Sequence, residues 1–129
     1  MDKKGKPFSP KERFGSFRYA FRGLALLIKR EHNFRIHFAA TVIVIAAGIL
    51  LNINTAEWLI ITLTIGIVLI AEGLNSAVEH LCDIVSPGED QRIKNIKDIL
   101  AAAVLISAIM AAIIGLIIFL PHILALILQ

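Results

Sequence analysis

The alternation of long apolar stretches with short polar ones predicts three membrane-spanning helices. No charged residue occurs between His37 and Glu57, or after Asp98, and a further apolar stretch precedes Glu72. A span needs about 20 predominantly apolar residues. We therefore predict three spans, joined by a turn at about 52–57 and a polar loop at about 85–96. Their predicted limits are about 36–52, 58–84 and 97–121.

A different pattern precedes the first span. Aromatic and aliphatic residues recur at helical spacing from Phe14 to Ile28, with basic residues on another face. A basic, aromatic-rich amphipathic helix of this kind lies in the membrane interface, so we predict a surface helix over 11–31, with Ser9 in the capping position. Residues 1–10 are predicted to be a disordered basic tail, and 11–129 a single membrane domain.

Composition and charge agree with this pattern. Of the 129 residues 57% are hydrophobic and the mean hydropathy is +0.80, values too apolar for a soluble domain of this size. Ten of the thirteen basic residues lie at or before Arg35, and the other three are at 92, 94 and 97. The positive-inside rule places the N-terminus and the polar loop in the cytoplasm and the C-terminus outside. Beside membrane spans, the basic arm favours anionic lipid over nucleic acid as its partner.

Four polar residues interrupt the second predicted span. Glu72, Asn75, Glu79 and Asp83 follow steps of three, four and four, which places them within roughly an 80° arc of one helical face. An ionisable group at membrane depth costs about 2.5–3.5 kcal/mol on insertion scales and usually marks a functional site. We interpret these four residues, called here the polar stripe, as functional. A structural polar network between helices is the alternative.

The surrounding residues narrow the chemistry without fixing it. The chain has neither a Gly-x-x-x-x-Gly-Lys-Ser/Thr loop nor a Gly-x-Gly-x-x-Gly motif. Glu31 follows the surface helix, and Lys97 and Asp98 begin the third span, so all three meet the membrane face at which the stripe ends. Carboxylates with a nearby lysine suit Mg²⁺ and phosphate, which makes phosphoryl transfer one hypothesis. A carboxylate-gated ion transporter and a non-enzymatic membrane-shaping protein are the alternatives.

Three segments resemble the prokaryotic diacylglycerol kinase and undecaprenol kinase family. They are Glu31–His37, then Ala71–Glu79 with Asp83, and then Lys97-Asp98 followed by 101–105. The resemblance extends from about Arg13 to Pro121. It implies an all-α integral membrane enzyme, a homotrimer in which each subunit has a surface helix and three spans, and which is unrelated to soluble kinases.

The resemblance also implies roles for individual residues. Glu72 would be the catalytic base toward a lipid hydroxyl, and Asn75 would orient groups beside it. Glu31 and Glu79 would bind Mg²⁺, the implied cofactor, with ATP as cosubstrate. Arg35 and Glu72 would contact the lipid. The implied nucleotide-binding residues are Tyr19, Glu31, Glu79, Asp83, Lys97 and Asp98.

The implied activity is ATP-dependent phosphorylation of a primary hydroxyl at the cytoplasmic face of the bacterial inner membrane. The Asn33–His37 segment is more similar to the undecaprenol kinase branch, which favours undecaprenol slightly over diacylglycerol. After the second span, Gly88-Glu89-Asp90 stands where some family members carry Glu-Tyr-His. Adenine and ribose contacts from that loop are therefore not assigned to residues of this chain.

Overall fold

The chain folds into four helices and no strand over the residues that the computed structural model describes, 9–128. Their bounds are α1 Pro10–Arg30, α2 His32–Leu50, α3 Thr55–Val85 and α4 Gln91–Ile127. By length and composition, α2, α3 and α4 can each cross a membrane. The all-α class and the three apolar helices are thus confirmed. The predicted disordered tail falls, up to residue 8, outside the described residues.

The first two helices are separated by a single residue. Glu31 has an extended backbone (φ −97°, ψ 110°) and is at once the C-cap of α1 and the N-cap of α2. Its N–H donates to the Leu27 carbonyl at 3.0 Å, and its own carbonyl accepts from the Arg35 N–H at 3.2 Å. The last backbone hydrogen bond of α1 and the first of α2 therefore both involve this residue, and its side chain lies at the junction of α1 and α2.

The corner between α2 and α3 is built from a helix stop and a helix start. Asn52 adopts φ 50°, a left-handed conformation that asparagine tolerates. The Ile53 N–H then donates to the Gly48 carbonyl and the Asn52 N–H to the Ile49 carbonyl, which is the Schellman pattern. Asn54 follows at once and forms a capping box with Glu57 that starts α3.

The same end of the molecule contains the apolar core. Buried Ile53, Ile61 and Ile118 pack together with half-buried neighbours that include Trp58. His122 of α4 donates to both carboxylate oxygens of Glu57, at 3.1 and 3.2 Å. The α3–α4 pair is the most extensive helix contact in the chain. The packing of α3 against α4 therefore fixes the position of the polar stripe, which lies on α3.

The helix that contains the third predicted span, 97–121, is longer than that span at both ends. The helix begins at Gln91 rather than 97, because Asp90 Oδ1 accepts the Arg92 N–H at 2.8 Å and caps a start within the supposed loop. It also continues through Pro121 to Ile127. A proline removes one backbone donor, and helices in membranes tolerate this where neighbouring groups compensate. The connection between α3 and α4 is therefore only residues 86–90.

The other limits differ less. The first predicted span, 36–52, overlaps a helix that begins four residues earlier, at His32, and ends two residues earlier, at Leu50. The second, 58–84, runs from Thr55 because the capping box fixes its start. The helix predicted at 11–31 spans Pro10–Arg30, and Ser9 occupies the cap position without a side-chain hydrogen bond.

Candidate active site

The polar stripe of α3 runs from a buried end to an exposed one. Glu72 is 2% exposed and Asn75 is 7% exposed, whereas Asp83 is exposed and Glu79 is half-buried between them. The spacing of these residues places them on one face of a single helix. The stripe therefore joins the interior of the helix bundle to the end of α3 near residue 85.

The buried end of the stripe meets α2. His37 Nε2 lies 3.1 Å from Glu72 Oε1, and the two side chains are 24% and 3% exposed. A buried carboxylate is costly unless it is paired or hydrogen-bonded. The imidazole is the partner that the structure supplies at this carboxylate.

The junction of α1 and α2 also meets α3. His80 Nε2 lies 2.7 Å from Glu31 Oε1, so the carboxylate held at the helix break is tied to the helix that carries the stripe. Beside this pair is a mainly apolar cavity of about 410 Å³ under α1. It is lined by Gly23, Leu26, Leu27, Arg30, Glu31, Gly73, Ser76, Ala77 and His80.

The exposed end of the stripe meets α4. Lys97 Nζ donates to Asp83 Oδ1 at 2.5 Å. Both residues line an open, polar cavity of about 670 Å³ that includes the whole 86–90 connection. Asp90 also lines it, and the Arg92 guanidinium lowers the pKa of that carboxyl by hydrogen bonding to it. This volume is within the usual range for small-molecule sites.

Electrostatic interactions connect these three places. Glu31 and Glu79 lie near enough to Glu72, and Glu79 near enough to Lys97, for their charges to interact. Residues from the α1–α2 junction, from α3 and from the start of α4 thus form one charged region.

One buried atom in this region has no partner. Asn75 Oδ1 is inaccessible to solvent and accepts no hydrogen bond from the described residues. Unsatisfied buried polar atoms are rare in folded proteins and call for an explanation. Because Asn75 is one helical turn from Glu72, a hydrogen-bond donor bound beside the carboxylate would satisfy this oxygen.

The carboxylates of this region can hold Mg²⁺ only if a bound phosphate supplies further ligands. No group of three or more His, Cys, Asp or Glu side chains converges on a metal position within residues 9–128. Mg²⁺ is commonly held by one or two carboxylates, with substrate phosphates and water completing its octahedron. Glu31 and Glu79, two hard oxygen donors that act on the same neighbouring carboxylate, suit that arrangement.

Three of the predicted site residues are not brought to the others within one subunit. Tyr19 is 69% exposed on α1, and Asp98 is exposed on α4. Neither lines any of the three cavities described for this chain. Arg35 is also exposed, and its Nη2 lies 3.2 Å from Nδ1 of His32 rather than beside Glu72.

Two residues with a place in the site were not singled out from the sequence. His37 and His80 each pair with a predicted catalytic or metal-binding carboxylate. In the sequence they stand at the edges of apolar stretches, where histidines commonly lie at the membrane interface. Only the folded contacts distinguish them from His32.

Comparison with known proteins points in one direction. The model of the family described as prokaryotic diacylglycerol kinase matches residues 18–119. The chain is 41% identical over 108 residues to an undecaprenol kinase of Bacillus subtilis, covering 84% of this chain and 88% of that protein. It is also 39% identical over 112 residues to a diacylglycerol kinase of Synechocystis, covering 86% of this chain and 64% of that protein.

Proposed function

The chain belongs to the prokaryotic diacylglycerol kinase family and is a lipid kinase, and from this premise we propose that it phosphorylates the primary hydroxyl of a membrane lipid alcohol. ATP is the phosphoryl donor. The observation that carries the proposal is the buried carboxylate of Glu72, beside the unsatisfied oxygen of Asn75. An ionisable group and an open acceptor at this depth fit a hydroxyl delivered from within the membrane.

Glu72 acts as the general base. Its carboxylate takes the proton of the lipid hydroxyl while the hydroxyl oxygen forms a bond to the γ-phosphorus, and the bond from that phosphorus to ADP breaks. Asn75 orients the reacting group through its amide. The contribution of a positioned base is typically 10²–10⁴-fold, and the remainder comes from holding the two substrates in line.

The nucleotide occupies the exposed end of the stripe. The polar cavity beside the 86–90 connection offers the space, and Lys97 offers a positive charge for phosphate. Asp83 holds that ammonium in place and, together with Tyr19 and Asp98, completes the nucleotide contacts. Because Tyr19 and Asp98 lie apart from the cavities of one subunit, their contacts fit a site completed by a neighbouring subunit.

Glu31 and Glu79 bind Mg²⁺ together with the ATP phosphates. The ion supplies positive charge that offsets the charge of the phosphates during transfer. Both glutamates lie between the lipid end and the nucleotide end of the stripe, and both act on Glu72. Arg35 lies at the start of α2, where its guanidinium can meet the lipid head group.

The assembly and its placement complete the proposal. The protein is a homotrimer in the bacterial inner membrane, with α1 at the surface of an anionic bilayer. The N-terminus and the 86–90 connection are cytoplasmic and the C-terminus is exterior. Many large apolar side chains of α2, α3 and α4 are exposed in a single subunit, which supports both lipid contact and packing against neighbouring subunits.

Undecaprenol is slightly favoured over diacylglycerol as the substrate. The Asn33–His37 segment supports this preference, as does the similarity to the Bacillus subtilis undecaprenol kinase. The Synechocystis diacylglycerol kinase is nearly as similar over the aligned residues, so the preference is a small one. The comparisons give no support to an ion transporter or to a membrane-shaping protein.

A direct assay tests the proposal. Membranes containing the protein are supplied with γ-labelled ATP and, separately, undecaprenol, diacylglycerol or no added lipid, with the Glu72→Gln variant as the matched control. We expect label in a lipid phosphate, more with undecaprenol than with diacylglycerol, and at least ~10²-fold less with the variant. Label transfer to neither alcohol by the folded wild-type protein would contradict the proposed function.

A further inference from the structure

We propose that His37 is a positioning residue for phosphoryl transfer, which holds Glu72 ionised and oriented toward the lipid hydroxyl. The inference rests on the proposed function, because it assumes that Glu72 is the base. Its geometric basis is the 3.1 Å contact between His37 Nε2 and Glu72 Oε1, where α2 meets the buried end of the polar stripe.

The surroundings of Glu72 explain why such a contact is needed. The Glu72 side chain is only 3% exposed, and the carboxylates of Glu31 and Glu79 act on it from the same region. An ionised carboxylate in such surroundings is costly unless it is paired or hydrogen-bonded, and only the ionised form can act as a base. His37 Nε2, 3.1 Å from Glu72 Oε1, is the nitrogen that the structure places against this carboxylate.

On its α4 side, His37 faces no other titratable group among the described residues. His37 also stands at one end of an apolar cavity of about 300 Å³ between α2, α3 and α4. The α4 residues that line it are Ala108, Ala111, Ala112, Gly115 and Phe119, none of which titrates. On α3 its titratable partner is Glu72, and the other charged groups that interact with Glu72 are Glu79 of α3 and Glu31 at the α1–α2 junction.

The identity of the donor also matters. A lysine or arginine in place of His37 would fix a full positive charge against Glu72 and make its carboxylate a poor proton acceptor. A neutral imidazole N–H stabilises the carboxylate less, so the carboxylate stays basic while its orientation is held. This is the expected arrangement for a base that must take up a proton in every turnover.

The chain contains a matched control for a purely structural contact. His122 and Glu57 form another imidazole–carboxylate pair, also at 3.1 Å and also partly buried, at the opposite end of α3. Both pairs connect α3 to another helix. Only the His37 pair involves the proposed base, so His122→Phe reports what is lost when such a link between helices is removed.

The test uses three variants in the full-length protein, each checked for fold and oligomer size in detergent. His37→Phe removes the donor and keeps a ring of similar size, His37→Gln keeps an N–H near the Nε2 position, and His122→Phe is the control. For each, turnover of the lipid alcohol, the KM for ATP and the pH dependence of kcat are measured.

We expect His37→Phe to lower kcat at least ~10-fold and to move the acidic limb of the pH profile upward by about one unit. The KM for ATP should stay within about twofold of the wild type, because the nucleotide binds at the other end of the stripe. His37→Gln should recover most of the turnover and the wild-type acidic limb. His122→Phe should leave the pH profile unchanged.

Several results would overturn the role of His37. They are an unshifted acidic limb in folded His37→Phe, an equal shift in His122→Phe, or folded His37→Gln with wild-type ATP affinity but no turnover. If His37→Phe does not fold, the His37→Gln result alone decides. Absence of lipid phosphorylation by the wild-type protein would instead contradict the proposed function, so the two failures are distinguishable.

Discussion

Three carboxylates of the proposed site are each paired with a nitrogen group from another helix, and the type of nitrogen group changes with depth. Buried Glu72 meets an imidazole of α2, and Glu31 at the helix junction meets an imidazole of α3. Exposed Asp83 meets the ammonium of Lys97 on α4. A full cation thus stands where phosphate is expected, and a weaker donor stands where a base is needed.

The depth of Glu72 leads to the first prediction. It lies seven residues, about 10 Å, from Glu79 toward the membrane interior, a depth that a lipid hydroxyl can reach and that ATP does not. Glu72→Gln keeps the shape of the side chain but removes the base, so phosphoryl transfer should fall at least ~10²-fold. Nucleotide affinity should change little.

Both quantities are measured on one purified sample, turnover with labelled ATP and affinity by nucleotide titration. Glu72→Asp is the matched control, since it keeps the charge while withdrawing the carboxylate. Retained turnover in Glu72→Gln, or loss of nucleotide binding with the fold intact, would show that the roles along the stripe are assigned wrongly.

A second prediction concerns the two proposed metal ligands. Glu31→Gln and Glu79→Gln each remove a negative charge and keep the shape, so each should raise the Mg²⁺ concentration needed for half-maximal turnover by roughly tenfold or more. The measurement is turnover against Mg²⁺ at saturating ATP. Glu57→Gln, on the opposite end of α3, serves as the control. An unchanged Mg²⁺ requirement in either variant would remove that residue from the metal site.

At this scale the sequence predicts the carboxylates but not their partners. An acidic side chain inside an apolar helix is conspicuous, because its insertion cost must be offset by a role. A histidine at the edge of a span is not conspicuous. The partner of His80 lies 49 residues away, and nothing in the local pattern indicates that the two meet.

At the scale of elements, the corner between α2 and α3 sets how the helices approach each other. A Cβ added to Gly48 would lie 2.7 and 2.9 Å from two ring atoms of Trp58 and 3.1 Å from Ile53 Cδ1. The indole ring is stiff and packed against the core, so it cannot move away easily. The close approach of Trp58 to α2 therefore requires glycine at this position.

This leads to a third prediction. Gly48→Ala should destabilise the protein by about 1–3 kcal/mol, the usual cost of overpacking a core, and should lower the thermal midpoint in detergent. Gly66→Ala is the matched control, since a Cβ there meets nothing within 4 Å and alanine is the better helix former. An equal or smaller loss in Gly48→Ala than in Gly66→Ala would contradict the role given to Trp58.

Helix limits show what the hydrophobic pattern leaves undetermined. The three apolar helices were predicted to within a few residues wherever a polar turn coincides with the end of an apolar stretch. The start of α4 was missed, because the first residues of a helix can be polar when a cap such as Asp90 satisfies their backbone. The passage of α4 through Pro121 was also missed, because backbone compensation at a proline depends on the surrounding structure.

At the scale of the whole molecule, a single chain does not bring all the residues of the proposed site together. Glu72, Asn75 and Glu79 lie together on α3, whereas Tyr19 and Asp98 are exposed and apart from the cavities. Glu31 and Glu79 offer too few protein ligands for a metal on their own. Which further groups complete the site depends on assembly and substrate, and neither follows from the periodicity of one sequence.

The assignment of a lipid end and a nucleotide end to the polar stripe depends on how the protein is oriented in the membrane. With the basic residues Arg92, Lys94 and Lys97 at the start of α4, the 86–90 connection should be cytoplasmic. An odd number of spans then places the C-terminus outside.

A reporter enzyme active only in the exterior compartment should be active when fused to the C-terminus and inactive when inserted after Gly88. A reporter active only in the cytoplasm should give the opposite pattern. Exterior activity of the first reporter after Gly88 would place the polar cavity away from ATP, and Asp83 and Lys97 could then not be nucleotide-binding residues.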